Sequence, residues 1–245
     1  MNNNKLPHDS WAKFYDFVYG THFGNLYNQF TDITLLEIEK FTNTGQTILD
    51  LGAGTGRLSI PLAKKGFHVI AVEPSTSMAD VIQRKMLDQK VEIDMHISDI
   101  ASFSSRKVDA AICVFTVLNY ITLEESFEKS IRNVKEHLNT GGKFFFELGD
   151  AVFNYPNQGI QKHEFSRQIQ LVPTNKNGLY RYSEKTNFKF GNDPLEYEDE
   201  FDLRRWDIEY VDELLKKEGF VCIKDNYPQF AGTGANYFLY QLNNI

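Results

Sequence analysis

The sequence contains little cysteine and no hydrophobic run long enough to cross a membrane. Its two cysteines, in 245 residues, lie within apolar stretches, which predicts buried thiols rather than a disulfide framework. No window approaches the ~20 apolar residues that a membrane span needs, and the first residues lack the apolar segment of a secretion signal. We therefore expect a cytoplasmic protein without a membrane partner.

The sequence also has no excess of positive charge, with 26 lysines and arginines against 33 aspartates and glutamates. The net charge of −7 and the isoelectric point of about 5.4 argue against a general electrostatic grip on nucleic acid or anionic lipid. The six histidines are scattered, without an HxxxH spacing or a Cys/His cluster, so no metal site is predicted. Small molecules remain as the expected partners, and the oligomeric state is left open.

Apolar strand patterns alternate with helical patterns along most of the chain. Such strand–helix repeats imply a largely parallel sheet with helices on both faces. The predicted strands are 47–51, 68–73, 92–98, 108–115, 142–148, 220–225 and 236–242, and the predicted helices are 26–41, 56–65, 76–88, 123–138 and 207–218.

Residues 152–205 interrupt this rhythm. Aromatic and apolar residues there fall on alternate positions, such as Tyr180, Tyr182 and Phe188, between turns rich in glycine and asparagine. Period-two alternation predicts antiparallel strands with one solvated face. The expected organisation is one domain formed by residues 1–151 plus 206–245, carrying an antiparallel β insertion at 152–205.

The stretch "LDLGAGTGRL" after the first strand is a glycine-rich turn that brings backbone close to a ligand. A phosphate-binding P-loop needs a lysine and a hydroxyl after its last glycine, and neither is present at that spacing. The dinucleotide pattern GxGxxG would need glycine where Arg57 stands. The turn instead reads GxGxG, with Asp50 two residues before the first glycine.

This turn resembles the first motif of class I S-adenosylmethionine-dependent methyltransferases. The resemblance implies a Rossmann-like, doubly wound, seven-stranded mixed sheet and S-adenosylmethionine as cofactor. That molecule carries no phosphate, but it has a sulfonium and an amino-acid end. In this family the three glycines let the backbone lie against the ligand, and an acidic residue such as Asp50 suits the ammonium group.

Three further segments match the family in order. Glu73 ends the second strand, where a carboxylate accepts the ribose hydroxyls, and "EPSTSM" places Pro74 and Ser75 beside the nucleoside. "SDIASF" resembles the adenine-binding motif, and "VFTVLNYI" the stretch after the fourth strand. All of them follow predicted strands, at the edge where such sheets bind ligands.

The N-terminal "WAKFYDFVYG" resembles the tyrosine-bearing lid of small-molecule methyltransferases, including the deoxysugar N-methyltransferases. The stretch "VFTVLNYITLEE" and the insertion resemble theirs too, although Asn119 in that stretch stands where they have glycine. The prolines that nucleic-acid amino-methyltransferases carry after the fourth strand are missing. The implied cofactor-binding residues are Tyr15, Asp50, Gly52, Ala53, Gly54, Gly56, Glu73, Pro74, Ser75, Asp99, Ile100 and Phe115, and the implied substrate-positioning residues are Tyr19, Asn119 and Tyr120.

The implied reaction is methyl transfer to an N or O atom of a small molecule. Because the leaving group is already in place, alignment of the reacting atoms can supply most of the catalysis. A base is needed only for a protonated nucleophile, and Glu147, Asp150 and His163 are further candidates. A nicotinamide-dependent oxidoreductase and a non-catalytic S-adenosylmethionine-binding protein remain alternatives. The methyl acceptor stays unassigned.

Overall fold

Two β-sheets organise the fold, in a computed structural model that describes residues 6–243. The strands are β1 (Thr47–Leu51), β2 (His68–Val72), β3 (Asp94–His96), β4 (Val108–Cys113), β5 (Leu138–Gly149), β6 (Asn157–Lys162), β7 (Phe165–Pro173), β8 (Leu179–Phe190), β9 (Asp193–Arg204), β10 (Phe220–Lys224) and β11 (Ala235–Leu242). The α-helices are α1 (Tyr15–Phe23), α2 (Asn25–Phe41), α3 (Ser59–Lys64), α4 (Thr76–Gln89), α5 (Glu124–His137), α6 (Ala151–Asn154) and α7 (Ile208–Lys217).

The larger sheet has the strand order β10-β11-β5-β4-β1-β2-β3. Strands β1 to β5 are parallel, whereas β11 is antiparallel to both of its neighbours. The strand order reverses between β1 and β4, and the loops that follow these strands diverge there into a crevice that can bind a ligand. This mixed, doubly wound sheet confirms the predicted fold class.

Alternating side chains of the strands fill two apolar layers. Leu49 and Leu51 of β1 pack with α5 and α7, whereas Ile48 faces the layer that contains α2, α3 and α4. Both layers are almost fully closed to solvent, as expected for parallel strands covered on both faces.

Two predicted boundaries move because the backbone turns sharply. The helix predicted at 56–65 begins only at Ser59, since Gly56 adopts a left-handed φ of +81° within the glycine turn. The strand predicted to 115 ends at Cys113, since Phe115 and Thr116 have φ values of +73° and +68°. Both shifts fall where the chain passes the crevice.

The smaller sheet is an antiparallel meander in the order β6-β7-β8-β9. It occupies the predicted insertion after the fifth strand, and α6 precedes it. Its inner face packs on the N-terminal segment, through Phe165 and Phe188 against Trp11, Phe14 and the first turns of α1. The division of the chain into a domain and an insertion that forms part of the substrate pocket remains a prediction.

Within residues 6–243, no helix is long and apolar enough to cross a membrane. The same residues contain no group of three or more His, Cys, Asp or Glu side chains that could hold a metal ion.

Candidate functional site

Two cavities meet at the carboxyl edge of the large sheet. The outer cavity, of about 600 Å³, lies over the ends of β1, β2 and β4, beneath residues 6–8 and Tyr15. The inner chamber, of about 170 Å³, lies between α1, the end of β5 and the small sheet. Four residues line both spaces and form a partition between them: Tyr15, Arg57, Phe115 and Tyr120.

Eleven of the twelve predicted cofactor-binding residues line the outer cavity: Tyr15, Asp50, Gly52, Ala53, Gly54, Glu73, Pro74, Ser75, Asp99, Ile100 and Phe115. Gly56 is the exception. It lies under the turn, where a Cβ would come within 3.1 Å of Ile60 and 3.3 Å of Ile82. The structure therefore places Gly56 in the packing of the turn and not on the wall of the cavity.

The glycine turn is tied to the neighbouring strand by its backbone. The amides of Gly52 and Ala53 both donate to the carbonyl of Val72, at 2.8 and 3.1 Å. Gly52 and Gly54 have φ values of +69° and +57°, which side chains other than glycine rarely adopt. The loop thus presents bare backbone to the cavity.

We expect Gly52→Ala to disrupt the turn more strongly than Gly54→Ala. A Cβ on Gly52 would lie 2.5 Å from Cγ1 of Val117, whereas one on Gly54 would meet nothing within 4 Å. Both variants carry the left-handed penalty of about 1–2 kcal/mol, so the steric clash is the difference between them. Urea unfolding of the two proteins measures it, and equal destabilisation would contradict the role of Val117.

Asp50 is a buried carboxylate with one side-chain hydrogen bond. The hydroxyl of Ser59 donates to its Oδ2 at 2.5 Å, and only 4% of the residue is exposed. Burial raises the pKa of Asp50 to about 6, because little around the ionised form replaces the lost water. A cationic group in the outer cavity would complete its environment.

Glu73 joins the turn to the end of β2. Its Oε2 accepts from the amide of Gly54 at 2.8 Å, and its Oε1 from the amide of Ser75 at 2.9 Å. Burial raises the pKa of this carboxyl above its ordinary value, while the two amides act against that rise. Each carboxylate oxygen keeps a further acceptor position, so Glu73 can also receive two hydroxyl groups.

Ser75 caps α4, because its hydroxyl accepts from the amide of Met78 at 3.0 Å. The same hydroxyl donates to Asp9, which joins the N-terminal segment to the cavity floor. Asp99 and Ile100 also line the outer cavity, where Asp99 accepts from Ser102 at 2.7 Å and faces solvent.

The loop after β4 holds an unusual backbone conformation in place. Phe115 and Thr116 are consecutive non-glycine residues with positive φ, an arrangement that stores strain. Glu147 compensates, because its carboxylate accepts from both amides, at 2.7 and 3.0 Å. Burial raises the pKa of Glu147. The result is a phenylalanine ring held in the partition.

Two of the three predicted substrate-positioning residues face the inner chamber. Tyr19 lines it, and Tyr120 lines both spaces and lies 3.0 Å from Nε2 of His8. Asn119 does not reach either cavity. It is 1% exposed, and its amide group bonds the backbone of Gly149 and Arg204, so the expected polar group at the pocket mouth is a structural brace.

The structure places the three further candidates for a general base in three different surroundings. Glu147 lines the inner chamber, and its carboxylate holds the strained loop after β4 through the two amides described above. Asp150 pairs with Arg205 at 2.8 Å outside both cavities, and the side chain of His163 is 92% exposed on the small sheet. His163 is therefore remote from the site.

Several residues at the two cavities were not among the candidates that the motifs indicated. Arg57 and Arg167 bring guanidinium groups to the inner chamber, and His8 reaches the outer cavity from a left-handed position at φ +65°. Asp16 of "YDFVY" binds Thr55 of the glycine turn at 2.7 Å and Lys85 at 2.6 Å. All these contacts join residues far apart in sequence.

Comparison with known proteins shows which families and folds the chain is similar to. Residues 48–142 match the protein-family model described as "Methyltransferase domain". The cypemycin N-terminal methyltransferase of Streptomyces sp is 34% identical over 112 residues, which are 44% of this chain and 44% of that protein. The matched part of the chain thus spans less than half of that relative's length.

Solved structures share the fold along nearly the whole chain. A S-adenosylmethionine-dependent methyltransferase from Clostridium acetobutylicum ATCC 824 has a TM-score of 0.81 at 19% identity, covering 97% of this chain and 99% of that one. An amino pentose methyltransferase from Micromonospora echinaspora has a TM-score of 0.73 at 17% identity, covering 94% and 96%. These likenesses confirm the resemblance drawn from the motifs: residues 48–142 match a methyltransferase-domain model, and the chain shares the fold of solved S-adenosylmethionine-dependent methyltransferases.

Proposed function

We propose that the protein transfers a methyl group from S-adenosylmethionine to a nitrogen atom of a small molecule. The carrying observation is a set of three carboxylates, Asp50, Glu73 and Asp99, that lie at or just after the ends of the parallel strands β1, β2 and β3 and line one cavity. When bound, S-adenosylmethionine supplies a methyl group on a cationic sulfonium.

The outer cavity fits the chemistry of that donor. Asp50 would bind the ammonium group, since a buried carboxylate with a raised pKa is stabilised by a cation. Glu73 would accept the ribose hydroxyls, and Asp99 the adenine amino group. Gly52, Ala53 and Gly54 leave space for the nucleoside close to the backbone. The turn lacks the lysine and hydroxyl with which a P-loop binds phosphate, which agrees with a donor that carries no phosphate.

The inner chamber would hold the methyl acceptor. Its volume of about 170 Å³ is comparable to the roughly 150 Å³ of an engineered cavity that admits benzene. Its aromatic lining consists of Tyr15, Tyr19, Phe23, Phe30, Phe115, Tyr120, Tyr182 and Tyr237. These walls suit a compact acceptor, or the reacting end of a longer one.

The ionisable groups of the chamber favour nitrogen over oxygen as the acceptor atom. Burial raises the pKa of Tyr15 and Tyr120 well above the ordinary value, so neither is a phenolate at neutral pH. Glu147 holds the strained Phe115–Thr116 backbone through two amides, and that structural role is the one we assign to it. A neutral amine can attack without first losing a proton, and the positive charge that it gains is stabilised by aromatic faces. The name of the cypemycin N-terminal methyltransferase agrees with this choice.

Methyl-transfer assays with labelled S-adenosylmethionine test the proposal. The acceptor panel pairs each small primary amine with the alcohol of the same skeleton, and mass spectrometry locates the methyl group. We expect transfer to amines only; transfer to the alcohols would contradict the choice of nitrogen. Calorimetry with S-adenosylhomocysteine and NADH separates the classes of enzyme, because binding of NADH alone would exclude a methyltransferase.

A further inference from the structure

The outer cavity has an asymmetric charge lining. Its acidic residues are Asp50, Glu73, Asp99 and Asp202, and Arg57 is the sole lysine or arginine on its wall within residues 6–243. The donor of the proposed function carries two cationic groups and one carboxylate. One guanidinium among several carboxylates matches this distribution of charge.

We propose that Arg57 binds the carboxylate at the amino-acid end of the methyl donor. This inference rests on the proposed function, and it assigns a binding role to the residue that departs from the dinucleotide pattern. Guanidinium groups bind carboxylates through two parallel N–H···O bonds, which fixes orientation as well as charge.

The position of Arg57 is set by contacts on two sides. Its guanidinium lies 4.5 Å from the ring centroid of Phe115 and 5.8 Å from that of Tyr27. Its Nη1 donates to the hydroxyl of Thr31 at 3.1 Å, which uses one of the five donors of the group. The side chain is thus held at the partition with donors remaining for a ligand.

Asp50 and Arg57 line the same cavity, as the two ends of an α-amino acid require. The ammonium and carboxylate of such a group are attached to one carbon, so their binding partners must be neighbours. Asp50 and Arg57 are joined by the short glycine turn and line the same cavity. The positive charge of Arg57 also acts against the rise that burial causes in the pKa of Asp50, which agrees with their proximity.

Arg57 also lines the inner chamber, so a carboxylate on the acceptor is the competing occupant. Calorimetry with three ligands decides between them. S-adenosylhomocysteine has the complete amino-acid end, its decarboxylated analogue S-adenosyl-3-thiopropylamine keeps only the ammonium, and 5′-methylthioadenosine has neither group. The titrations use the full chain at pH 8, where Asp50 is ionised.

For Arg57→Met, we expect the affinity for S-adenosylhomocysteine to fall by roughly 10- to 100-fold, because a charge-assisted pair is lost. The affinities for the two ligands without a carboxylate should stay unchanged. Arg57→Lys should recover part of the loss. Arg132→Met is the matched control, since Arg132 pairs with Glu128 at 3.2 Å on α5 and lines neither cavity.

Three outcomes overturn the inference. Equal weakening of all three ligands in Arg57→Met would show a role in packing, and no weakening would assign Arg57 to the acceptor or to neither. If Arg57→Met does not fold, Arg57→Gln and Arg57→Lys provide the same comparison. A wild-type protein that binds none of the ligands would contradict the proposed function itself, before any variant is compared.

Discussion

Asp50→Asn is expected to weaken the binding of S-adenosylhomocysteine by roughly 10- to 100-fold and, at the same time, to stabilise the ligand-free protein. Affinity falls because the amide cannot pair with the ligand's ammonium group. Stability rises because an ionised carboxylate no longer has to be buried at 4% exposure. Calorimetry and urea unfolding at pH 8 measure the two effects, with the exposed Asp80→Asn of α4 as the control.

The pH dependence follows from the sign of the shift at Asp50. Its folded pKa of about 6 lies above the ordinary value of 3.8, so the folded state binds more protons between these values. Without ligand, this residue therefore lowers stability as the pH rises through that window, by roughly 1–3 kcal/mol in total. Affinity for the ammonium-bearing ligand should rise through the same window. A ligand affinity that is flat from pH 5 to 8 in the wild type would contradict the assignment.

Glu184→Ala should produce the largest loss of stability on the small sheet. Arg167 and Glu184 form a bidentate pair at 2.9 and 2.8 Å, with both side chains 1% exposed. Removal of the carboxylate leaves a buried guanidinium without its partner, and such changes cost about 3–5 kcal/mol. Urea unfolding measures the loss.

The same sheet offers a matched control for this prediction. Arg181 and Glu200 pair at 2.6 Å on the solvated face, where both side chains are largely exposed. Glu200→Ala should therefore change stability little, because water screens the charge that remains. The double variant Arg167→Met with Glu184→Leu should recover much of the loss, since it buries no charge. Equal effects of Glu184→Ala and Glu200→Ala would contradict the argument.

Acid should weaken the buried pair. Burial alone would raise the pKa of Glu184, but the guanidinium of Arg167 outweighs it and holds that pKa below its usual range. A carboxylate with a depressed pKa contributes stability above the pKa of its unfolded form, and the contribution is lost as the pH falls through the folded value. The difference in stability between wild type and Glu184→Ala should therefore shrink toward low pH.

Local patterns were sufficient to predict the sheet and the outer cavity. Strand periodicity and the glycine spacing depend on neighbours in sequence, and eleven of the twelve residues that the motifs indicated do line one cavity. Gly56 does not line that cavity, because spacing shows that a glycine is required but not whether a ligand or the side chains of Ile60 and Ile82 require it.

The sequence alone could not predict the roles of residues whose partners lie far away along the chain. Asn119 looked like a pocket residue, but its partners Gly149 and Arg204 lie 30 and 85 positions away, and they turn its side chain from the cavity. The Arg167–Glu184 pair needs the register between β7 and β8, which alternation alone does not define. Arg57 was noted only as a mismatch to another family's pattern.

The two tryptophans lie in different parts of the molecule. Trp11, stacked on Tyr15 and Tyr19, donates its indole N–H to Asp199 at 2.5 Å, while Trp206 packs on Phe127 and donates to Leu118 in the main core. In a Trp206→Phe background, tryptophan fluorescence would therefore come from the N-terminal segment alone. The protein thus carries its own optical reporter for this segment, next to the tyrosines of the partition and without an attached dye.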